Sequence, residues 1–485
     1  LNKKKHKNTY ELNTLQNKPK PEKKHKESDM FTVTNPSTGK TLYQKPSLAS
    51  VEMEQHIEAS YQAWLKWRTS SFSQRADVLI QVARLMRENV KMLAAPMTEE
   101  MGKPIKEARA EVIKAAWCAE HYAEHAEAYL TTQTLSSDAA HSYVQHMPLG
   151  PVLGVLPWNA PFWLAFRFCA PALMAGNTCL MKHDPHVPGC AEAITSLFQQ
   201  AGIPEHIMQN LPLQTPDVEA AIRHPRVRAV SFTGSGKAGA IVASIAASEI
   251  KPSVLELGGS DPAIVLADAD QESAADAIAL SRMINAGQSC IAAKRIIVEA
   301  SIYDSFIEKL KLRLEKLQMG DPKEEATDIG PIARQDLRDN LDQQVQQTIA
   351  SGARCLLGGK IPERDGFFYP PTLLVDARNE MRACQEETFG PIAVVIKAEN
   401  ADQALAIAND TEYGLAASIW TETKRGEMLA PNIMAGQVVV NGIVKTDPRL
   451  PSGGIKRSGF GRELGPHGIM AFVNVQQVWV GPKTD

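Results

Sequence analysis

Three residues in this chain have types and settings that could do chemistry together. Cys290 lies in the turn "NAGQSCIAAKR", Glu256 ends an apolar run in "VLELGGSDP", and Asn159 sits between two prolines in "LPWNAPF". Taken singly, each has a plain structural explanation: a packed thiol, a salt-bridged strand-end acid, a turn asparagine. As a set they fit one reaction. A thiolate attacks an aldehyde carbon, a side-chain amide helps hold the developing oxyanion, and a carboxylate activates the water that releases a thioester. A carboxylate at an apolar strand end is costly to bury unless it is paired, hydrated or protonated. Pro157 and Pro161 stiffen the loop that aims the amide.

The stretch "FTGSGKAG", residues 232–239, follows the apolar run "VRAVSF" and contains G-x-G-x-x-G. If this were the ordinary dinucleotide finger, the acid about 20 residues on, Glu256 or Glu249, would bind a ribose and could not act as a base.

The elements that must position these residues follow from periodicity. From about residue 50 to 130, apolar residues recur at three- and four-residue spacing, as in "SVEMEQHIEASYQAWLKWR", "QRADVLIQVARLMRENVKMLAAPMTEEMG" and "KEARAEVIKAAWCAEHYAEHAEAYL", which predicts helices. Beyond residue 150, short apolar runs such as "TCLMK", "RAVSFTG" and "PAIVLAD" alternate with helical segments. A second such series runs from "AKRIIVEA" to "QVVVNG". Alternation of this kind predicts an α/β fold with two open parallel sheets, their boundary near Gly258-Gly259.

Composition narrows the class. A chain of 485 residues, 44% hydrophobic and 22% charged, is expected to form two or three globular domains. The most apolar region, 151–176, is interrupted by four prolines, Asn159 and Arg167, which argues against a membrane span. Seven cysteines without a CxxC pair suggest neither a disulfide frame nor a metal site, so a reducing cytoplasm is expected. Residues 1–29 hold nine lysines against four acids, a net +5, which leaves −8 for the rest of a chain whose total is −3. Without an apolar core or interleaved aromatics, this tail reads as a disordered basic extension rather than a nucleic-acid or membrane arm. Met30 directly precedes the first ordered-looking segment, so the tail is expected to be dispensable or foreign to the native product.

The motifs "PWNAP", "LMKHDP", "FTGSGKAG", "LELGG", "GQSC", "MGDP", "EETFGP" and "PSGGIKRSGFGREL" occur in one order. From about residue 31 to the C-terminus the chain resembles the NAD(P)-dependent aldehyde dehydrogenase superfamily, including the 34 residues from Glu256 to Cys290. The resemblance implies two Rossmann-like open-sheet lobes and a small bridging β element. Residues 30–128 and 149–257 would bind NAD(P), 258–450 would be catalytic, and 129–148 with 470–485 would join subunits into a dimer or tetramer. By the same resemblance Cys290 is the nucleophile, Glu256 the general base, and the Asn159 amide with the Cys290 N–H forms the oxyanion hole. Lys182 would contact the adenosine ribose, and Trp158, Thr233, Gly234 and Ser235 would surround the pyrophosphate. Glu387 would accept from the nicotinamide ribose, Phe389 would flank the nicotinamide, and Leu257 and Gly258 would also belong to the cofactor site. Gly236 is incidental in this pattern, which releases Glu256 from the ribose. Family members that pass the acyl group to coenzyme A generally lack the base, so hydrolysis is expected over acyl transfer; the intact trio also argues against a non-catalytic NAD-binding protein.

Pro185 stands where NAD-preferring members usually carry a glutamate, so NAD or NADP is open. The chain resembles the short-form succinate-semialdehyde dehydrogenases most, through "KHxP" and "TDPRLPSGGIKRSGFGREL". Arg167 would then clamp a substrate carboxylate, or be an acid-paired structural arginine. Ile284 stands where other semialdehyde enzymes place a second polar contact. Asp447 and Arg449 are expected to substitute, or else to form a local pair, and Gln288 joins them as a substrate-side residue. Succinate semialdehyde leads as substrate, ahead of glutarate semialdehyde and plain aliphatic or aromatic aldehydes. His183 and His186 read as exposed loop histidines rather than metal ligands.

Overall fold

The computed structural model describes residues 30–481. The basic extension expected over 1–29 lies outside the described residues, as do 482–485 of the expected bridging segment. A hairpin, β1 (Met30–Asn35) with β2 (Lys40–Pro46), leads into four helices: α1 (Ser50–Trp67), α2 (Phe72–Glu88), α3 (Val90–Met101) and α4 (Ile105–Tyr129). The long helical pattern read after residue 73 is divided at Asn89, whose side-chain amide donates to Leu85 O at 2.8 Å and ends α2. A short polar side chain that satisfies the last carbonyls competes with helix continuation. Next come β3 (Gln133–Thr134) and β4 (His141–Pro148).

The first lobe follows as β5 (Pro151–Val155), α5 (Pro161–Met174), β6 (Thr178–Lys182), α6 (Pro188–Gln200), β7 (Met208–Asn210), α7 (Asp217–Arg223), β8 (Ala229–Thr233), α8 (Gly236–Ser248) and β9 (Ser253–Glu256). Strands β5, β6 and β8 are buried along their whole length. That is why they read as unbroken apolar runs rather than as alternation. The apolar region 151–176 resolves into strand β5 and helix α5, all of whose residues are buried. Among the described residues no helix is long and apolar enough to cross a membrane.

The second lobe comprises β10 (Pro262–Val265), α9 (Gln271–Met283), β11 (Arg295–Glu299), α10 (Tyr303–Glu315), α11 (Gln335–Ala350), β12 (Arg354–Leu357), β13 (Thr372–Ala377), α12 (Arg382–Gln385), β14 (Ile392–Ala398), α13 (Ala401–Asn409), β15 (Ala416–Trp420), α14 (Thr423–Leu429) and β16 (Gln437–Val440). Its seven strands are ordered β12-β13-β14-β11-β10-β15-β16 and are parallel except for β12. The chain then returns to the first lobe through β17 (Gly459–Phe460), before α15 (Gly465–Met470) and β18 (Val473–Val480). Strand β17 runs antiparallel to β9, with Gly459 opposite Glu256, and completes a six-stranded order β17-β9-β8-β5-β6-β7. The two segments that lacked a partner in either lobe pair with each other: β18 lies along all of β4, from Val473 opposite Pro148 to Val480 opposite His141, with β3 on the far edge.

Between α9 and β11 the backbone makes a left-handed turn, with φ of 55° at Asn285, 51° at Ala286 and 73° at Gly287. A Cβ at Gly287 would stand 2.2 Å from the Gly390 carbonyl oxygen. Left-handed backbone costs an L side chain roughly 1–2 kcal/mol, and overpacking adds roughly 1–3 kcal/mol. Gly287→Ala is therefore expected to lower Tm by several degrees, measured by scanning fluorimetry. Gly236→Ala, where a Cβ would meet nothing within 4 Å, is expected to leave Tm the same or higher; equal Tm values for the two variants would contradict the steric account.

Candidate active site

The left-handed turn delivers Cys290 and is braced from three sides. The Asn285 N–H donates to Glu107 Oε2 at 2.7 Å, and Asn285 Nδ2 donates to Asn159 O at 2.9 Å and Gln288 O at 3.2 Å. Buried Arg282 donates from Nε to Ile392 O at 2.6 Å and from a terminal nitrogen to Thr388 O at 2.8 Å, tying the turn to the loop that carries Glu387. The Lys294 ammonium, fully buried, donates to Ser289 O at 2.9 Å and Cys290 O at 2.6 Å. Cys290 keeps partial exposure. Burial pushes its thiol up to about 11, against the pull of Lys294 and Arg167, whose positive charges favour the thiolate.

Asn159 meets this turn from the loop between β5 and α5. Its side-chain amide donates to Gln288 O at 3.2 Å, two residues before Cys290. Its own carbonyl accepts from Lys103 Nζ at 2.9 Å as well as from Asn285. Lys103 is ion-paired with buried Glu111, whose Oε1 accepts from the Phe162 and Trp163 N–H groups at 2.9 and 3.1 Å, where α5 begins. A carboxylate on free N–H groups at a helix start is favourable, so the acid on α4 fixes both the helix and the loop in front of it.

Glu256, at the end of β9, is 5% exposed. Arg167 donates to its Oε2 at 3.2 Å, while Oε1 has no hydrogen-bond partner among the described residues. The same guanidinium lies 2.6 Å from Glu463 Oε2. Burial pushes Glu256 up to about 7; Arg167 opposes that rise and Glu463 adds to it. Arg167 itself stays charged, because the two carboxylates outweigh the penalty of its burial. This arginine, expected either as a clamp for substrate or as an acid-paired structural residue, meets both internal acids through one terminal nitrogen, and its buried Nε has no partner among the described residues.

The other substrate-side expectations are also redistributed. Gln288 is 1% exposed, and both ends of its amide are engaged, Nε2 with Asn285 O at 3.1 Å and Oε1 with the Ala333 N–H at 2.9 Å. It braces the turn instead of facing a ligand. Exposed Arg449 forms a two-pronged pair with buried Asp447, at 2.9 and 2.6 Å, which is the local pair that the sequence left open as an alternative. Ile284 is 41% exposed and contributes no charge.

On the other side of the sheet ends, Ser235 caps α8 by accepting from the Ala238 N–H at 3.3 Å, which leaves the remaining N–H groups of the first turn available to an anion. The motif's glycines divide in role. A Cβ at Gly239 would stand 2.4 Å from a Leu257 methyl and force that side chain to shift, whereas Gly236 faces open space. Gly234 N–H donates to Glu256 O at 3.1 Å, and buried Thr233 has a hydroxyl without a partner among the described residues. Lys182 is buried at the end of β6, its ammonium disfavoured by burial and partly supported by Asp184. His183 is buried, not exposed: its Nε2 lies 3.0 Å from Pro161 O, and burial holds it down to about 4, hence neutral. His186 is partly exposed, with Nδ1 2.7 Å from Asp184. Trp158 packs edge-on to Phe389, their ring centroids 5.7 Å apart.

The two sides meet at Gly258-Gly259. A Cβ on Gly258 would stand 2.3 Å from Glu387 Oε2, and the Gly259 N–H donates to Glu387 Oε1 at 3.1 Å. Lys294 lies 3.6 Å from the same carboxylate. A helix start with free N–H groups, an orphaned Thr233 hydroxyl, a buried lysine and a carboxylate cradled by a glycine suit the diphosphate and ribose hydroxyls of a dinucleotide. Sequence reading missed Lys103, Glu111, Asn285, Lys294 and Glu463. Their one visible signal is a polar or charged residue set in or beside an otherwise apolar stretch, as Lys294 is in "CIAAKRIIV".

Comparison with known proteins agrees with this geometry. Over 451 residues the chain is 45% identical to a probable succinate-semialdehyde dehydrogenase [NADP(+)] of Synechocystis, covering 93% of this chain and 99% of that one. It is 44% identical over 455 residues to succinate-semialdehyde dehydrogenase [NADP(+)] 1 of Mycobacterium bovis, covering 93% and 99%. The fold superposes with a TM-score of 0.91 on the crystal structure of a succinic semialdehyde dehydrogenase from Streptococcus pyogenes in complex with NADP+, at 31% identity and covering 93% of this chain and 100% of that one. Residues 23–478 match the aldehyde dehydrogenase family, and the chain belongs to that family and is an aldehyde dehydrogenase.

Proposed function

We propose that this enzyme oxidises succinate semialdehyde to succinate with NADP+, through a thioester on Cys290. The observation that carries the chemistry is the convergence at Gly258-Gly259, where Glu387, the Cys290 backbone and the strand bearing Glu256 approach within contact of one another. The choice of aldehyde and of cofactor draws on the names of the relatives.

In this reading the thiolate form of Cys290, its proton released to solvent, adds to the aldehyde carbon, and the oxyanion is received by Asn159 Nδ2 and the Cys290 N–H. Lys182, Trp158, Thr233, Gly234, Ser235, Leu257, Gly258, Glu387 and Phe389 would hold NADP+, which would supply the hydride acceptor. Glu256 then takes a proton from the water that attacks the thioester, which frees the acid and restores the thiolate. A carboxyl lifted to about 7 by burial is well matched to that task, since a base is most effective when its pKa lies near the working pH. Lys103 and Glu111 hold the Asn159 loop in register for the first step, and Arg167 holds Glu256 for the second. The active form is a dimer or tetramer. Its support is β18, an edge strand that presents Val475, Trp479 and Val480 to solvent at 56%, 45% and 46% exposure. Seven free cysteines suit a reducing cytoplasm.

Two measurements test the roles. Glu256→Gln should still release one equivalent of NADPH per site in a stopped-flow burst, then turn over about 10²- to 10⁴-fold more slowly. In the wild type, kcat should rise with pH as Glu256 ionises near 7 and level off above it; undiminished steady turnover in the variant would rule out Glu256 as the base. For Cys290, whose thiol stands at about 11, only the thiolate is alkylated. Iodoacetamide modification of the Cys290 peptide in the free enzyme should therefore climb about tenfold per pH unit from 7 to 10. A plateau below pH 8 would contradict the assignment of a burial-raised thiol.

A further inference from the structure

Arg167 is shared with Glu463 and Glu256 through one terminal nitrogen, and Arg449 is paired with Asp447; one further cation nearby has no such acid. Lys114 on α4 is half-buried, and no carboxylate lies within ion-pair distance of its Nζ among the described residues. The ammonium sits 4.2 Å over the Trp163 ring and donates to Thr446 Oγ1 at 3.0 Å. Trp163 Nε1 donates to the same oxygen at 3.0 Å. Buried Thr446 thus accepts twice, and its own hydroxyl hydrogen has no acceptor among the described residues. A hydroxyl with an uncommitted hydrogen beside an ammonium with uncommitted N–H groups is a donor pair suited to an anion.

The place of this pair is defined by its neighbours. Trp163 lies in the first turn of α5, four residues beyond Asn159. Thr446 belongs to the loop that also brings Ser452 to Arg167, at 3.5 Å. Charged and titratable groups face Lys114 from each neighbouring element: Arg167 on α5, Glu111 and Cys118 on α4, and Asp447 in the loop. Arg167 in turn is felt at Cys290. Burial, and then Arg167, pull the Lys114 ammonium down to about 8, a penalty that a bound anion relieves.

We propose that Lys114, with the Thr446 hydroxyl, binds the carboxylate of the semialdehyde substrate and so sets the preference for an acidic aldehyde. Arg167, which reaches Glu256 and Glu463 through one terminal nitrogen, also positions Glu256. The inference rests on succinate semialdehyde being the substrate.

The test compares kcat/KM for succinate semialdehyde and for butanal, an uncharged aldehyde of the same length, in the wild type, Lys114→Met, Lys114→Gln and Lys114→Arg. The ratio of the two values should fall roughly 10- to 100-fold in the Met and Gln variants, as expected for loss of a charged hydrogen bond, and recover substantially in the Arg variant. Most of the fall should appear in KM for the semialdehyde. If the wild type itself does not favour succinate semialdehyde, the substrate reading falls and this inference with it. If the wild type discriminates and the Met and Gln variants discriminate equally well, or lose both activities in parallel, Lys114 is overturned while the substrate reading stands.

Discussion

The close passage of backbone at Gly258-Gly259 is the constraint on which the site depends. There the chain leaves the sheet of the first lobe for that of the second, and a Cβ at Gly258 would displace the Glu387 carboxylate, whose Oε2 would stand 2.3 Å from it. The next N–H donates to the same carboxylate at 3.1 Å, which ties this junction to the loop that carries Glu387. Everything else is referred to that junction. Glu256 lies two residues before it, Leu257 packs on α8 beside it, and Lys294 spans from Glu387 to the Cys290 carbonyl. The left-handed turn from Asn285 to Gly287 is held against Gly390 on the other side. Strain of that kind persists only where the surroundings over-determine the backbone, as Arg282, Gln288 and Glu107 do here.

Electrostatics in the site follow from scarcity of cations. One buried guanidinium serves two buried carboxylates, Glu256 and Glu463. The second acid keeps Arg167 charged without allowing it to hold Glu256 far below the neutral range, so burial wins and Glu256 remains a base of moderate strength. Replacing either acid would upset this balance, since a lone buried guanidinium–carboxylate pair holds its carboxyl low. At Cys290 the same contest has a different result. Two cations favour the thiolate, yet burial prevails and the free thiol rests largely protonated. A resting thiol of this kind is protected from adventitious oxidation.

The return of the chain through β17 joins these two features. By placing a strand from beyond the second lobe against β9, the fold brings Glu463 to Arg167 and Ser458 to the Gly258 carbonyl, at 2.7 Å. The C-terminal segment thereby closes the site over Glu256. The same excursion leads into β18, whose pairing along β4 connects the closure of the site to the small sheet at the molecule's edge.

The alternation of apolar runs and helical periods is enough to determine two open parallel sheets, because strands buried on both faces leave an unbroken apolar signature and their crossover helices a periodic one. Cys290, Glu256 and Asn159 stand out as candidates for a related reason: each is a chemically distinctive residue in a locally stiff or apolar frame, so its type and its neighbours draw attention to it. Gly236 and Gly239 could also be told apart by pattern, and the space around each agrees. What the sequence could not disclose is pairing. Whether Arg167 meets a ligand or an internal acid depends on Glu463, 296 residues further along, and nothing local to either residue specifies the other. His183 read as exposed because its polar neighbours resemble a loop, while its burial comes from α5 packing across it. Ion pairs, buried amides and the cation left without an acid are properties of proximity in space, and only the tertiary structure decides them.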